Sequence, residues 1–375
     1  MTTVHVALQQ FCGQDERPRR VLEAAGCEVR LNTLGRRLRR EEMGEWLREA
    51  DAVLAGVEPY DASLLAQLPR LRCISRCGIG TDAIDLAAAR ERHIAVLTTV
   101  DEVVEPVAEM TVAMILALAR NLSLHAADAR AGQWRKHTGH LLSEWTVGLI
   151  GFGNIGQQVA RYLLPFCSRV LVCDPRPLAL ATVPRGVPSK PVPAGVTRCE
   201  LPQLLAEADL VSIHAARDAS AGPLLGEREF ALMKPGARLV NTARGHLVDE
   251  AALLAALTSG HLSAAALDVY EQEPYTGPLA KLPQVLCTPH VSTLTAASRA
   301  AMELRAAQHI VDFFARSQVA TFAGPAAASL CVSGPAPAAS VLGQSSASGL
   351  RNSHGGSGSG PGQQARLRRH PRMSP

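Results

Sequence analysis

Apolar residues recur along this chain in two alternating rhythms. Short runs at 4–8, 27–31, 51–56, 71–76 and 94–98 read as strands, being too brief for helices and rich in Val, Ile and Leu. Between them lie segments whose apolar residues return every three or four positions: 17–25, a helix carrying Met43, Trp46 and Leu47, 62–68 and 85–92. Strand and helix in turn predict a parallel sheet covered by helices on both faces. A long helix over 102–120 follows, with so few charges after Glu109 that it should be buried, and then an amphipathic arm over 121–145 that includes Trp134. The alternation then resumes. Strands are expected at 147–150, 169–173, 210–214, 238–242, 262–269 and 285–288, and helices at 201–208, 226–234, 249–257 and 294–314. From about residue 323 the chain turns to Gly, Ser, Ala, Pro and Gln, a composition that cannot bury enough apolar surface to fold, so 323–375 is expected to be a disordered tail.

One strand-to-helix junction carries glycines in the spacing G-x-G-x-x-G. Val147-Gly-Leu-Ile150 runs into Gly151, Gly153 and Gly156, and Ile155, Val159, Ala160 and Leu163 continue at helical spacing. In such a junction the first glycine permits a tight turn, the second lets backbone approach a pyrophosphate, and the third lets helix and strand pack closely. The helix start offers free N–H groups and a positive dipole end to phosphates. Asp174 ends the next strand-like run eighteen residues after Gly156, where an acid accepts ribose hydroxyls and disfavours a 2′-phosphate. The expected cofactor is therefore NAD rather than NADP, a preference that Arg176 could soften.

Two further groups of residues stand at strand ends. Cys77-Gly78-Ile79-Gly80 closes the fourth strand, where backbone N–H groups could hold a carboxylate. In the second half, Ala243-Arg244-Gly245, Asp268 with Glu273-Pro274, and Pro289-His290 each follow a strand. Arginine's planar fork pairs with a carboxylate, a histidine can take a hydroxyl proton near neutral pH, and a glutamate bonded to it fixes its tautomer.

With these segments in view the sequence resembles the D-isomer-specific 2-hydroxyacid dehydrogenases, and among them the phosphoglycerate dehydrogenases. The likeness runs over about 50–315 and is carried by Arg76-Cys-Gly-Ile-Gly-Thr-Asp-Ala-Ile-Asp85, Val107-Ala-Glu109, the 151–156 glycines with Asp174, Ala243-Arg-Gly245, Asp268, Glu273-Pro274 and Pro289-His290. It implies an α/β protein of two Rossmann-like or flavodoxin-like domains with parallel sheets. Residues 1–98, completed by 293–322, would form the substrate (catalytic) domain, and 99–292 the NAD-binding Rossmann domain. It implies NAD contacts from Gly151, Gly153, Asn154, Ile155, Gly156, Asp174, Ala243 and Asp268. Substrate would be held by Cys77, Gly78, Ile79, Gly80 and Arg244, and catalysis carried by Arg244, Glu273 and His290. For Asp268, capping of a strand end is an alternative to a contact with the nicotinamide end. The implied reaction is hydride transfer between NAD and a small 2-hydroxy or 2-oxo acid, 3-phosphoglycerate foremost. A homodimer built on 100–145 is implied as well. Several positions depart from the common pattern: Pro106, Glu144-Trp145, Ala215-Ala216 and Ser292. Glu58, in a stretch without arginine, stands against a substrate phosphate placed there. These departures keep alternatives open: an unusual hydroxy acid or hydroxyphosphonate as substrate, or an NAD(H)-sensing corepressor-like binding protein.

Composition narrows the setting. The 375 residues suffice for two cores, and 47% hydrophobic with 19% charged residues is ordinary for a soluble globular protein. No apolar run approaches a membrane span, and the start of the chain shows no signal-peptide pattern. Nine scattered cysteines without a C-x-x-C pair fit a cytoplasmic, reducing setting and predict neither a disulfide framework nor a metal site. The net charge of +4 comes from the tail, whose five arginines face no acid; without them the remainder carries −1, so no nucleic-acid partner is expected.

Overall fold

The computed structural model describes residues 1–176, 195–217 and 219–323. The expected tail, apart from the residue that ends the last helix, lies outside them. Residues 1–322 form one compact unit that contains two parallel sheets.

The first sheet consists of β1 (Thr2–Val6), β2 (Cys27–Leu31), β3 (Ala52–Ala55), β4 (Cys73–Arg76) and β5 (Ala95–Thr98), in the order β2-β1-β3-β4-β5. Its side chains alternate faces as the strand period requires. Val53 and Ala55 of β3 join Met43, Leu47, Leu64, Leu65 and Leu68, brought by α2 (Arg40–Trp46), α3 (Ala62–Ala66) and the residues that follow each. Ala52 and Leu54 point the other way, into a cluster with Leu22 of α1 (Arg17–Ala24) and Met302, Ala306, Ala307, Ile310 and Phe314 of α11 (Ala296–Ala323). The small pair Ala306-Ala307 lets that last helix come close enough for Ser75 Oγ to donate to the Ala306 carbonyl at 2.8 Å. Each fully buried Leu or Ile in these layers contributes about 1.5–3 kcal/mol, and Met302, Ala306, Ala307, Ile310 and Phe314 of α11 cover this face of the first sheet.

The second sheet has seven parallel strands in the order β12-β11-β10-β9-β6-β7-β8. They are β6 (Thr146–Ile150), β7 (Arg169–Cys173), β8 (Val196–Arg198), β9 (Leu210–Ile213), β10 (Ala237–Asn241), β11 (Leu262–Leu267) and β12 (Val285–Cys287). One face packs on α5 (Val104–Ala119) and α7 (Asn154–Leu163), the other on α8 (Leu201–Glu207), α9 (Glu227–Leu232) and α10 (Glu250–Thr258). Strand order reverses at β6, between β7 and β9, which is where a ligand of such a sheet sits, beyond the carboxyl ends.

Local chemistry explains most boundaries. Asp61, Asp85 and Asp249 each accept the N–H three residues on and so start α3, α4 (Leu86–Glu91) and α10. Two elements differ from the sequence reading. The 121–145 arm contains a helix, α6 (Leu122–Arg130), entered through left-handed Asn121 (φ +50°). The short edge strand β8 was unforeseen, because Val196-Thr-Arg198 is too brief for a period to show.

Candidate active site

The glycine turn is built by close packing. Gly151 adopts φ +95°, and a Cβ there would lie 2.5 Å from the Ala215 nitrogen and from the His214 carbonyl carbon. A Cβ on Gly156 would overlap the Gly151 carbonyl oxygen. Gly153 differs: its nearest neighbour would be Arg176 Nη2 at 3.7 Å, so backbone is open to a ligand on that side. Helix α7 begins directly after it, with Asn154 and Ile155 in its first turn, no side chain capping its N–H groups and no acid in that turn. Asp174, 6% exposed at the end of β7, accepts the Phe152 N–H at 2.7 Å and the Arg176 N–H at 2.9 Å. Arg176 adds Nε and Nη2, each at 3.1 Å. Burial pushes the Asp174 carboxyl up, but the Arg176 fork and the two N–H donors outweigh it and hold the group below its ordinary range. An uncapped helix start, an open glycine face and an ionised carboxylate at the next strand end together fit a dinucleotide.

The 77–80 loop is divided. The Cys77 N–H donates to the Ala55 carbonyl at 2.8 Å and the Gly78 N–H to Thr99 Oγ1 at 2.7 Å, so both serve the fold. Among the described residues the N–H groups of Ile79 and Gly80 have no acceptor, which narrows the expected carboxylate contacts to these two. Gly78 (φ +135°) and Gly80 are glycines because arginines crowd them: a Cβ would overlap the Arg76 guanidinium at one and Arg244 Nη2 at the other.

Arg244 follows β10 and reaches that loop. Its Nε pairs with Asp82 Oδ2 at 2.9 Å and its Nη1 donates to the Ala243 carbonyl at 2.7 Å. The Ala243 N–H is taken by Asn241 Oδ1 at 3.0 Å, and Asn241 Nδ2 donates to the Arg244 carbonyl at 2.9 Å, so one buried asparagine sets the turn. A Cβ at Gly245 would overlap the Tyr270 carbonyl, which accounts for glycine after the arginine.

Two strands over, His290 stands in the left-handed region (φ +55°) after β12. Its Nδ1 lies 2.8 Å from Glu273 Oε2, while Glu273 Oε1 accepts the Tyr270 N–H at 3.2 Å. Asp268, fully buried at the end of β11, clamps the histidine's loop from both sides. It accepts Thr288 Oγ1 at 2.6 Å, the Val291 N–H at 2.9 Å and the Ser292 N–H at 2.9 Å, with Ser292 Oγ as a fourth donor. The Asp268 carboxylate is thus a strand-end cap that fixes His290. The loops after β10, β11 and β12 adjoin because those strands are neighbours.

Sequence reasoning missed Asp82 as a partner of Arg244, Thr99 as the lock on Gly78, and Asn241. Asp82 was legible only as part of a motif, since its partner lies far along the chain. Glu58 is 4% exposed, its Oε2 accepts the Gly56 N–H at 2.9 Å, and burial raises its pKa. No set of three or more His, Cys, Asp and Glu side chains among the described residues is grouped to hold a metal ion.

The family model for the NAD-binding domain of D-isomer specific 2-hydroxyacid dehydrogenases matches residues 112–292. The chain is 37% identical over 252 residues to D-3-phosphoglycerate dehydrogenase of Mycobacterium bovis, covering 66% of this chain and 46% of that protein. It thus spans about half the length of that relative. With hydroxypyruvate reductase of Thermotoga maritima it shares 34% identity over 283 residues, 73% of this chain and 89% of the relative. The crystal structure of TT0316 protein from Thermus thermophilus superposes with a TM-score of 0.73 at 33% identity, covering 84% of this chain and 97% of that one. Two sheets wound this way, the open glycine turn with Asp174, and a 34%-identical relative matched over 89% of its length lead to one conclusion: the chain belongs to the D-isomer specific 2-hydroxyacid dehydrogenase family and carries its NAD-binding domain.

Proposed function

We propose that the chain is an NAD-dependent oxidoreductase that interconverts a D-2-hydroxy acid and its 2-oxo acid, with 3-phosphoglycerate as the leading substrate. The observation that carries this reading is the His290 Nδ1–Glu273 Oε2 pair at 2.8 Å. With Nδ1 committed to the carboxylate, Nε2 is the nitrogen left to take the substrate hydroxyl proton, and Glu273 stabilises the imidazolium that results. Arg244 binds the substrate carboxylate and carbonyl through its guanidinium, with the Ile79 and Gly80 N–H groups on the other side. NAD, when bound, supplies the hydride acceptor. The phosphorylated substrate draws support from the likeness to phosphoglycerate dehydrogenase.

In the same reading the substrate domain is 1–98 completed by 293–322, and the NAD domain is 99–292. A cytoplasmic homodimer forms on 100–145, where Leu122, Trp134 and Leu141 are exposed at 54%, 91% and 59%.

The test is NADH oxidation against phosphohydroxypyruvate, hydroxypyruvate, glyoxylate and pyruvate, with NADH binding followed in parallel. His290→Ala should lower turnover by about 10²–10⁴-fold while leaving NADH affinity nearly unchanged. Retained turnover in that variant would remove the acid/base assignment. A preference for an unphosphorylated acid would keep the mechanism and displace 3-phosphoglycerate.

A further inference from the structure

We propose that the ribose end of the nucleotide site admits NADP(H) as well as NAD(H), and that Arg176 is the residue that receives the 2′-phosphate. This rests on reading the glycine turn as the nucleotide site. An acid at the end of the second strand excludes a 2′-phosphate only if it offers that phosphate unpaired negative charge. Asp174 does not. Its Oδ1 accepts the Arg176 N–H at 2.9 Å and Nε at 3.1 Å, and its Oδ2 accepts the Phe152 N–H at 2.7 Å and Arg176 Nη2 at 3.1 Å. Both oxygens are therefore occupied by donors, two of them the fork of one guanidinium.

A second arginine comes from the unforeseen strand β8. Arg198 Nη2 donates to the Asp174 carbonyl at 3.1 Å. The strand end thus carries one guanidinium on the Asp174 carboxylate and a second on its backbone carbonyl, more positive charge than an acid alone would leave there. Glu200, exposed at the start of α8, is ion-paired to neither arginine.

Arg176 is also placed to change partners. Its side chain is 55% exposed, and its Nη2 lies 3.7 Å from the position a Cβ on Gly153 would take, so the guanidinium borders the open glycine face. A guanidinium can exchange a carboxylate for a phosphate with the same bidentate geometry. Tilted toward a 2′-phosphate, it can hold one nitrogen on Asp174 while Nη1 meets the phosphate, so the carboxylate stays paired and keeps the Phe152 N–H. Turned away with NAD bound, it leaves Asp174 to accept ribose hydroxyls. One residue thus serves both cofactors.

The experiment is a fluorescence titration of the purified full chain with NADH and with NADPH, no substrate present, for wild type, Arg176→Ala and Arg176→Lys. Wild type should bind the two with dissociation constants within about tenfold of each other. Arg176→Ala should weaken NADPH by about tenfold or more and NADH by less than about threefold, with Arg176→Lys between. Raising salt should weaken NADPH more steeply than NADH in wild type, and the difference should shrink in Arg176→Ala. Wild type that binds NADH but takes NADPH more than about a hundredfold more weakly overturns the proposal. So does an Arg176→Ala variant that loses both equally. Binding of neither cofactor would instead remove the nucleotide site on which the proposal stands.

Discussion

Two glycine loops cap parallel strands in this molecule, at 78–80 and at 151–156, and they are glycine for different physical reasons. At 151–156 the constraint is backbone against backbone: Gly151 against His214-Ala215, and Gly156 against the Gly151 carbonyl. Helix α7 follows at once, uncapped. At 78–80 the constraint is arginine side chains, Arg76 beneath Gly78 and Arg244 across from Gly80, and the next helix starts only at Leu86 behind its own cap, Asp85. The first loop is a tightly packed turn that leads straight into an uncapped helix start. The second is a seat whose shape depends on two movable cations, with two free N–H groups between them. Backbone crowding cannot relax cheaply, whereas a guanidinium at the end of three methylenes can, and that contrast sets how each loop should respond to an added methyl group.

Gly151→Ala is the harshest way to probe the contrast. It places a Cβ 2.5 Å from backbone at φ +95°, so stability should fall by about 3–5 kcal/mol, read as a drop in the urea midpoint, with NADH binding weakened alongside. A loss below about 1 kcal/mol would mean the turn is softer than its geometry implies. Gly80→Ala should act otherwise. Its methyl displaces Arg244 Nη2 and comes within 2.8 Å of Asp82 Oδ2, both ends of flexible side chains. Stability should change by less than about 1 kcal/mol and NADH affinity should hold, while KM for the 2-oxo acid rises about tenfold or more. If KM stayed put while stability collapsed, the two loops would not differ in kind.

The first loop was legible in the sequence because everything it needs lies within some thirty residues: strand, glycines, helix and Asp174. Strand ends could also be placed from local pattern, so Arg244, Glu273 and His290 were found as a set, and the bond between the last two is present. What could not be read was partnership across the chain. Whether an N–H at 77–80 is free depends on Ala55 and Thr99, and the Arg244 fork is half engaged by Asp82. Asp268 illustrates the same limit: its type and place were foreseen, but only the fold shows four donors from 288–292 converging on it. Pattern locates a residue on an element; it does not count the hydrogen bonds that decide whether the residue faces a ligand or its own loop.

The smallest expected effect separates the loops by pH. His214 is wedged behind the first: its N–H donates to the Ile150 carbonyl at 2.7 Å, its Nε2 lies 2.9 Å from Ser212 Oγ, and its carbonyl carbon crowds Gly151. Withdrawal from solvent lowers its pKa from 6.5 to about 3. The folded protein keeps this imidazole neutral, whereas the unfolded chain protonates it below about pH 6.5. The stability it contributes is therefore complete above that pH and lost progressively as pH falls toward 3. His5 in β1, lowered by burial to about 4, acts in the same window, so the informative quantity is a difference of slopes. Urea midpoints at pH 7 and pH 5 should fall less in His214→Gln than in wild type, because glutamine can still bond Ser212 but binds no proton. Arginines frame the second loop, and Cys77 beneath it, pushed by burial to about 11, stays a thiol throughout, so no change in that loop should flatten the acid slope. An unchanged slope in His214→Gln would show that the packing of the first loop does not depend on keeping that ring uncharged.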